Sequence, residues 1–487
     1  MIDWLALAVA LPLIGATAAA ALPSRAAPVG LVVAALTTTA ALIALYQVAG
    51  SGSLRSDLGG WGVPLGIALE ADGLSAVLLG MANLVSLGIS VYALDYFAAG
   101  SRRHFWPLWL LLWASLNGLF LAADLFNLYV TLELLGISAA ALGALTGRRE
   151  AVAANLRYLL VGLLGSMTYL LGVALVYTGA GVLDLRLAAA YLESGPLAAA
   201  AFALMVGGLL LKAALFPLHF WLPPAHAQAP APVSAALSAL VVKAAVYLVL
   251  RLWLDLFGPV AGPGAAGVLG VLGSGAIVWG SWRAFRAERL KLLAAYSTVA
   301  QVGYLFLFFP LLTAAAPPDR QRLLGAMVLL ALTHGFAKAG LFLAAGLLQK
   351  SAGHDRIDEL GPAIQSLPAV AFAIGLAGVA LIGLPPSGTF NAKWILLAES
   401  IASGQWWWVL VVAAGTLLAS AYVFRLLANA FAESPRHGSV RDRAPAEGLL
   451  PIARLPQAPA LLMTVVAVAV LGLGAEPLWG LLEAPAP

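Results

Sequence analysis

The chain has 487 residues, of which 62% are hydrophobic and 10% charged, against roughly 25% charged in an ordinary soluble domain. A soluble globular fold is excluded, because so apolar a surface would aggregate in water. There is no cysteine, which removes disulfides, thiolate metal sites and thiol nucleophiles, and the net charge of +4 lies in short loops with no basic arm for nucleic acid.

In chain order the apolar runs predict an all-α polytopic membrane protein with about fourteen transmembrane helices, each long enough to cross a hydrocarbon core. Their cores fall at 3–22, 28–48, 73–95, 105–122, 124–145, 155–178 and 197–221, then at 230–254, 264–282, 291–310, 323–348, 367–402, 405–430 and 458–480. The first begins after Asp3 without a positive flank, so Met1–Leu22 reads as a retained helix and not as a cleaved leader. The seventh contains Pro217 and runs into Leu222-Pro223-Pro224-Ala225. The twelfth is too long for one straight helix and contains Leu384-Pro385-Pro386-Ser387. Proline removes a backbone donor and blocks the helix, so both spans are expected to break at membrane depth, where irregular backbone must be covered by protein or line a cavity.

The paired breaks suggest two inverted five-helix repeats, spans 4–8 (105–254) and 9–13 (264–430), within a single membrane domain covering 1–487. The polar segment 431–457 is expected to be a cytoplasmic connection. The glycines at 264, 267, 270 and 273 are expected to serve close helix packing.

Positive charges in alternate loops set the orientation. One side carries seventeen, from Arg25 through Arg454; the other carries only Arg55, Arg186, Arg251, Arg320 and Arg322. This places both termini outside the cytoplasm of a multi-pass protein of the cell membrane.

The four remaining cations are Lys212, Lys243, Lys338 and Lys393, all inside predicted spans, although the chain has only six lysines against twenty arginines. A charge at a helix centre costs at least about 2.5–3.5 kcal/mol, so four cost on the order of 10 kcal/mol. Lysine sheds its proton when desolvated and arginine does not, so the bias points to proton handling. Glu133, mid-way along the fifth span, is the matching acid. Near Lys212 it would hold the ammonium charged; moved away, it would let burial release the proton. His334 and Lys338 stand four apart on one helix face and could exchange a proton. Ser297 and Gln301 add polar groups that could order water, and Lys393 follows the twelfth-span break, where an exit would sit.

Each has a plainer alternative. Glu133–Lys212 could be a static pair, Lys338 could snorkel to an interface, and His334 could be an ordinary interior histidine. Glu399, six residues from Lys393, should face elsewhere. His219 and His226 flank the first break, but without a third ligand no metal site is expected.

Four strings carry a resemblance: Asp124-Leu125-Phe126-Asn127-Leu128-Tyr129-Val130; Leu211-Lys212 through Leu222-Pro223; Tyr296-Ser297-Thr298-Val299-Ala300-Gln301; and His334-Gly335-Phe336-Ala337-Lys338. Together, over roughly 70–430, they resemble the antiporter-like subunits shared by respiratory complex I, membrane-bound hydrogenases and Mrp-type cation/proton antiporters, the Mrp D subunit most of all. The resemblance implies Glu133 and Lys212 as an ion pair, Lys243 as a central relay, His334 and Lys338 as connectors and Lys393 as the terminal site. Gly388-Thr389-Phe390-Asn391-Ala392-Lys393 departs from the family's usual spacing before that lysine. The expectation is of a subunit without the long C-terminal lateral helix of the largest relatives.

The implied role is proton translocation inside a hetero-oligomeric membrane complex, with Na+ or another cation exchanged for protons, no nucleic-acid partner, and no cofactor of its own. The alternatives are the same subunit in a redox-driven complex, whose redox centres would sit on other subunits, or in a bicarbonate-uptake complex.

Overall fold

A computed structural model describes residues 2–431 and 449–483. Most of the expected cytoplasmic connection at 431–457 lies outside the described residues. The helices in order are α1 (Trp4–Ala21), α2 (Ala26–Ser51), α3 (Gly73–Tyr96), α4 (Ala99–Leu121), α5 (Leu125–Gly143), α6 (Arg149–Ala180) and the short α7 (Leu185–Tyr191). Then come α8 (Pro196–Lys212), α9 (Leu222–Gln228), α10 (Ala231–Leu256), α11 (Pro263–Phe285), α12 (Leu290–Ala314) and α13 (Pro317–Ala352). The last are α14 (Pro368–Ile382), α15 (Gly388–Ala402), α16 (Trp407–Phe431), α17 (Gln457–Leu473) and α18 (Glu476–Glu483).

Among the described residues, eleven helices are long and apolar enough to cross a membrane, and the bent pair α17–α18 could make a twelfth. The expected spans 7 and 12 are not continuous helices: α8 and α14 are short apolar helices that end at breaks. Both breaks fall at the predicted prolines. The sequence did not predict the antiparallel hairpin β1 (Ser53–Asp57) and β2 (Ala68–Asp72) joining α2 to α3.

Burial sorts the helices. α10 is enclosed on every side, and α12 and α13 nearly so, as expected of helices apolar all round. α6 is peripheral and presents Leu156, Leu160, Leu164 and Leu171 outward as one stripe. That stripe suits lipid tails and no aqueous surface.

Glycine closes two helix crossings. A Cβ on Gly208 of α8 would sit 2.2 Å from the Gly165 carbonyl oxygen of α6. One on Gly273 of α11 would sit 2.7 Å from the Gly303 carbonyl oxygen of α12. Of the four regularly spaced glycines, Gly270 also packs closely, against Trp408, while Gly264 and Gly267 face open space. Close packing therefore explains only half of that run, because a three-residue spacing drifts by about 60° per step around a helix and carries Gly264 and Gly267 off the packed face. Gly208→Leu is expected to cost roughly 1–3 kcal/mol through overpacking, read as a lower melting temperature of the detergent-solubilised protein.

The arginine-poor side is tied by ion pairs. Arg55 bridges Glu70 and Asp184, each at 2.8 Å; Arg186 also pairs with Glu70; and Arg251 pairs with Asp72 and, at 3.2 Å, with Asp255. Arg322 pairs with Glu399. Four of the five arginines on this side are thus engaged by carboxylates. Burial pushes the Asp72 carboxyl up, but the Arg251 guanidinium and Ser75 outweigh it and hold it below its ordinary 3.8.

Candidate functional site

The two breaks position the first and last lysines differently. α8 ends at Lys212, and its Nζ reaches across to α5, donating to the Leu132 carbonyl at 3.3 Å and lying 3.5 Å from Glu133 Oε1. Glu133 and Lys212 are both mostly buried, with side-chain exposures of 16% and 11%. A cavity of about 20 Å³ adjoins Lys212, lined by Leu132, Tyr158, Val241 and Ala245 among others. That is room for about one water molecule, and it separates Lys212 from α10, the helix of Lys243. The chain around this break, including Pro217, Pro223 and Pro224, turns back so that the Trp221 indole N–H donates to the Leu211 carbonyl at 2.9 Å, which the Ala214 N–H also reaches at 3.2 Å.

At the second break, α14 stops at Ile382 because Gly383 takes a left-handed conformation with φ 85°, the usual glycine stop. Ser387 caps the start of α15 by accepting from the Phe390 N–H. The last turn of α14 is left with unpaired carbonyls. Lys393 donates to that of Ile382 at 3.0 Å and Gln301 to that of Leu381 at 2.8 Å. Lys393 Nζ also reaches Thr416 Oγ1 at 3.2 Å and lies 4.2 Å from the centre of the Tyr304 ring, a cation–π contact. Leu384, Pro385 and Pro386 themselves face outward.

Between the ends runs a hydrogen-bonded chain. Lys243 donates to the Ser238 carbonyl inside a wide turn of α10. The Ser238 hydroxyl is 2.7 Å from that of Thr298 on α12, and Thr298 donates to the Ala294 carbonyl at 3.0 Å. Lys338 of α13 donates to the same carbonyl at 2.8 Å and to the Ser297 hydroxyl. Lys243 and Lys338 are thus linked through two hydroxyls and a shared acceptor. Lys338 is wholly buried, so it does not snorkel.

His334 lies one turn from Lys338 and is buried, yet its two ring nitrogens have no hydrogen-bond partner among the described residues. The same holds for His226, which lies in the electrostatic field of Lys243, Lys291 and Lys338.

Three further residues lie by this array without the sequence having given them a place in it. Lys291, a loop cation by its position in the string, is buried at the start of α12 and donates to the Ala229 carbonyl next to the first break. His226 stands out in the sequence only as a possible metal ligand. Ser238 leaves one signal, a serine inside an otherwise apolar run. Glu399, expected to face away from Lys393, is buried and committed to Arg322.

Broken membrane helices holding buried lysines define a polytopic helical protein of the ion-translocating type. The chain belongs to the NADH:quinone oxidoreductase/Mrp antiporter transmembrane family, whose model matches residues 122–419. It is 37% identical to NADH-quinone oxidoreductase subunit N of Desulforudis audaxviator, over 80% of this chain and 78% of that protein. It is 27% identical to the Na(+)/H(+) antiporter D subunit of Alkalihalophilus pseudofirmus, over 90% and 87%. Its fold matches a chain of the Mrp complex from Dietzia sp. DQ12-45-1b with a TM-score of 0.87 at 27% identity, covering 99% of this chain and 97% of that one. It is thus an antiporter-like membrane subunit of the kind found in Mrp and complex I-like assemblies.

Proposed function

We propose that this chain is the proton-translocating subunit of a multi-subunit Mrp-type monovalent cation/proton antiporter in the cell membrane, with both termini outside the cytoplasm. The observation that carries the reading is the set of four buried cations, Lys212, Lys243, Lys338 and Lys393, of which Lys243 and Lys338 are joined through hydroxyls and carbonyls and Lys212 is paired with the embedded carboxylate of Glu133. The helix sets 105–254 and 264–430 act as inverted repeats, each contributing one broken helix. A proton enters near the first break, where Lys291 and His226 lie, passes Lys243 and the unpartnered His334 to Lys338, and leaves beside Lys393. The exchanged cation, Na+ in the first instance, is handled with a neighbouring subunit.

A second reading is favoured by the 37% identity to a quinone oxidoreductase subunit: the same proton path driven by redox chemistry on partner subunits. Purification of the native complex in mild detergent separates the two. Small antiporter subunits alongside this chain support the first; iron–sulfur or nickel subunits overturn it in favour of the second.

Glu133 is expected to set the charge of Lys212, because a close carboxylate stabilises the ammonium. Glu133→Gln should cut proton-coupled transport at least tenfold, and Glu133→Asp, which withdraws the charge by one methylene, should cut it less. Equal rates in wild type and Glu133→Gln would favour a static pair.

A further inference from the structure

On the arginine-poor side a cavity of about 340 Å³ opens between the hairpin, α7 and α10, lined by Glu70, Asp72, Arg186, Tyr247, Arg251 and Asp255 among others. The array described above does not use it. Its lining includes Leu128 of α5 and Tyr247 and Leu248 of α10. The small cavity beside Lys212 is lined by Leu132 of α5 and Ala245 of α10. Leu128 and Leu132 are one turn apart, and Ala245 and Leu248 less than one turn, so roughly 5 Å of packed side chains separates the two spaces.

One face of α10 crosses that gap. Lys243, Tyr247, Arg251 and Asp255 recur every four residues, hence in one row, running from the buried lysine to the cavity wall. The Tyr247 ring packs edge-on against Phe120 of α4, with 5.2 Å between the ring centres. Its hydroxyl donates to the Phe120 carbonyl at 3.1 Å and accepts from Arg251 Nε at 3.0 Å. Arg251 is in turn held by Asp72 at the end of the hairpin and by Asp255. A buried tyrosine hydroxyl, a guanidinium and two carboxylates therefore form one bonded cluster in the cavity wall, on the helix that lies between the two spaces.

We propose that this cavity is an outer water port to Lys212 and Lys243, latched by Tyr247, Arg251 and Asp72, through which these lysines exchange protons with the arginine-poor side. The assignment rests on the proposed proton-carrying role of those lysines. Release of Arg251 from Asp72 frees the guanidinium to swing into the cavity, unpins the Tyr247 hydroxyl, and lets water reach the space beside Lys212. The port belongs to the first helix set and is separate from the exit assigned to Lys393.

The test uses the assembled complex and the absence of cysteine in this chain. A single cysteine at Leu248 is labelled with a membrane-impermeant thiol reagent in right-side-out and in inverted vesicles, in the wild-type background and with Asp72→Asn. Asparagine preserves the helix cap that Asp72 provides to α3 while removing the charge that holds Arg251, so the fold is kept. The expected result is labelling about tenfold faster with Asp72→Asn, from the outer side alone. Tyr247→Phe, which deletes only the hydroxyl, should also accelerate it. Unchanged rates in both variants, or acceleration only from the cytoplasmic side, overturn the port. Labelling needs no transport, so Lys243→Ala with normal transport would overturn the proton-carrying reading and leave this readout standing.

Discussion

Lys243→Met is expected to abolish proton-coupled transport, to about one hundredth of wild type or less, in a complex that still assembles. Lys243 sits on the enclosed helix α10, and only about 2% of it is exposed. An ammonium there carries a desolvation cost of at least about 2.5–3.5 kcal/mol, and its one hydrogen bond, to the Ser238 carbonyl of its own helix, ties together no separate elements. Methionine fills the same volume without that cost, so folding should be unharmed or slightly improved. What it removes is the site from which the Ser238–Thr298 hydroxyl pair leads to Lys338.

Lys243→Arg separates charge from proton exchange, since a guanidinium keeps the charge and does not release its proton. It should assemble and be equally inactive. Proton movement is read by a quenched pH dye in inverted vesicles and assembly by native gel. Wild-type transport in Lys243→Met would remove Lys243 from the path and leave it a tolerated defect of packing.

How much of this is legible in the sequence depends on which physical signal each part leaves in a linear string. The membrane class, the breaks at Pro217–Pro224 and Pro385–Pro386, and the cost of the four buried lysines are local properties, readable from apolar run length, proline and charge. The bond from Lys393 to the Ile382 carbonyl is not, because it depends on where Gly383 ends α14. Lys291 passes for a loop cation because a charge two residues into a helix looks interfacial until the neighbouring Ala229 carbonyl is seen covering it. In the string, the arginine-poor side is five scattered charges. Its ion pairs join residues as distant in sequence as Arg55 and Asp184, or Asp72 and Arg251, and no spacing rule reports such pairs. The hairpin is invisible because five-residue strands between long apolar helices leave too short an alternation to stand out.

Pro385→Ala/Pro386→Ala in one chain is expected to lower transport at least tenfold while leaving assembly intact. A proline pair that only kinked a helix could be replaced at modest cost, since alanine restores the missing donors. Here the carbonyls freed by the break are in use: Ile382 anchors Lys393 and Leu381 anchors Gln301. A helix that closed through 383–387 would reclaim those carbonyls for its own backbone. Lys393 would then lose its 3.0 Å acceptor and keep only Thr416 and the face of Tyr304. The re-formed helix would also rebuild the exposed segment Leu384–Pro386, beside which the proposed exit lies. The C-terminal helix α17 is built around the break as well. A Cβ on Gly472 would collide with the Pro386 carbonyl, and Asn391 donates to the Gly472 carbonyl at 2.9 Å. A cysteine at Asn391 therefore reports on the same opening. In the double-alanine chain its labelling by an impermeant reagent should slow several-fold along with the loss of transport. Wild-type transport with unchanged labelling would reduce the prolines to structural punctuation and remove the reason to place an exit beside Lys393. Slower labelling with normal transport would show that water enters by this opening but that protons leave by another.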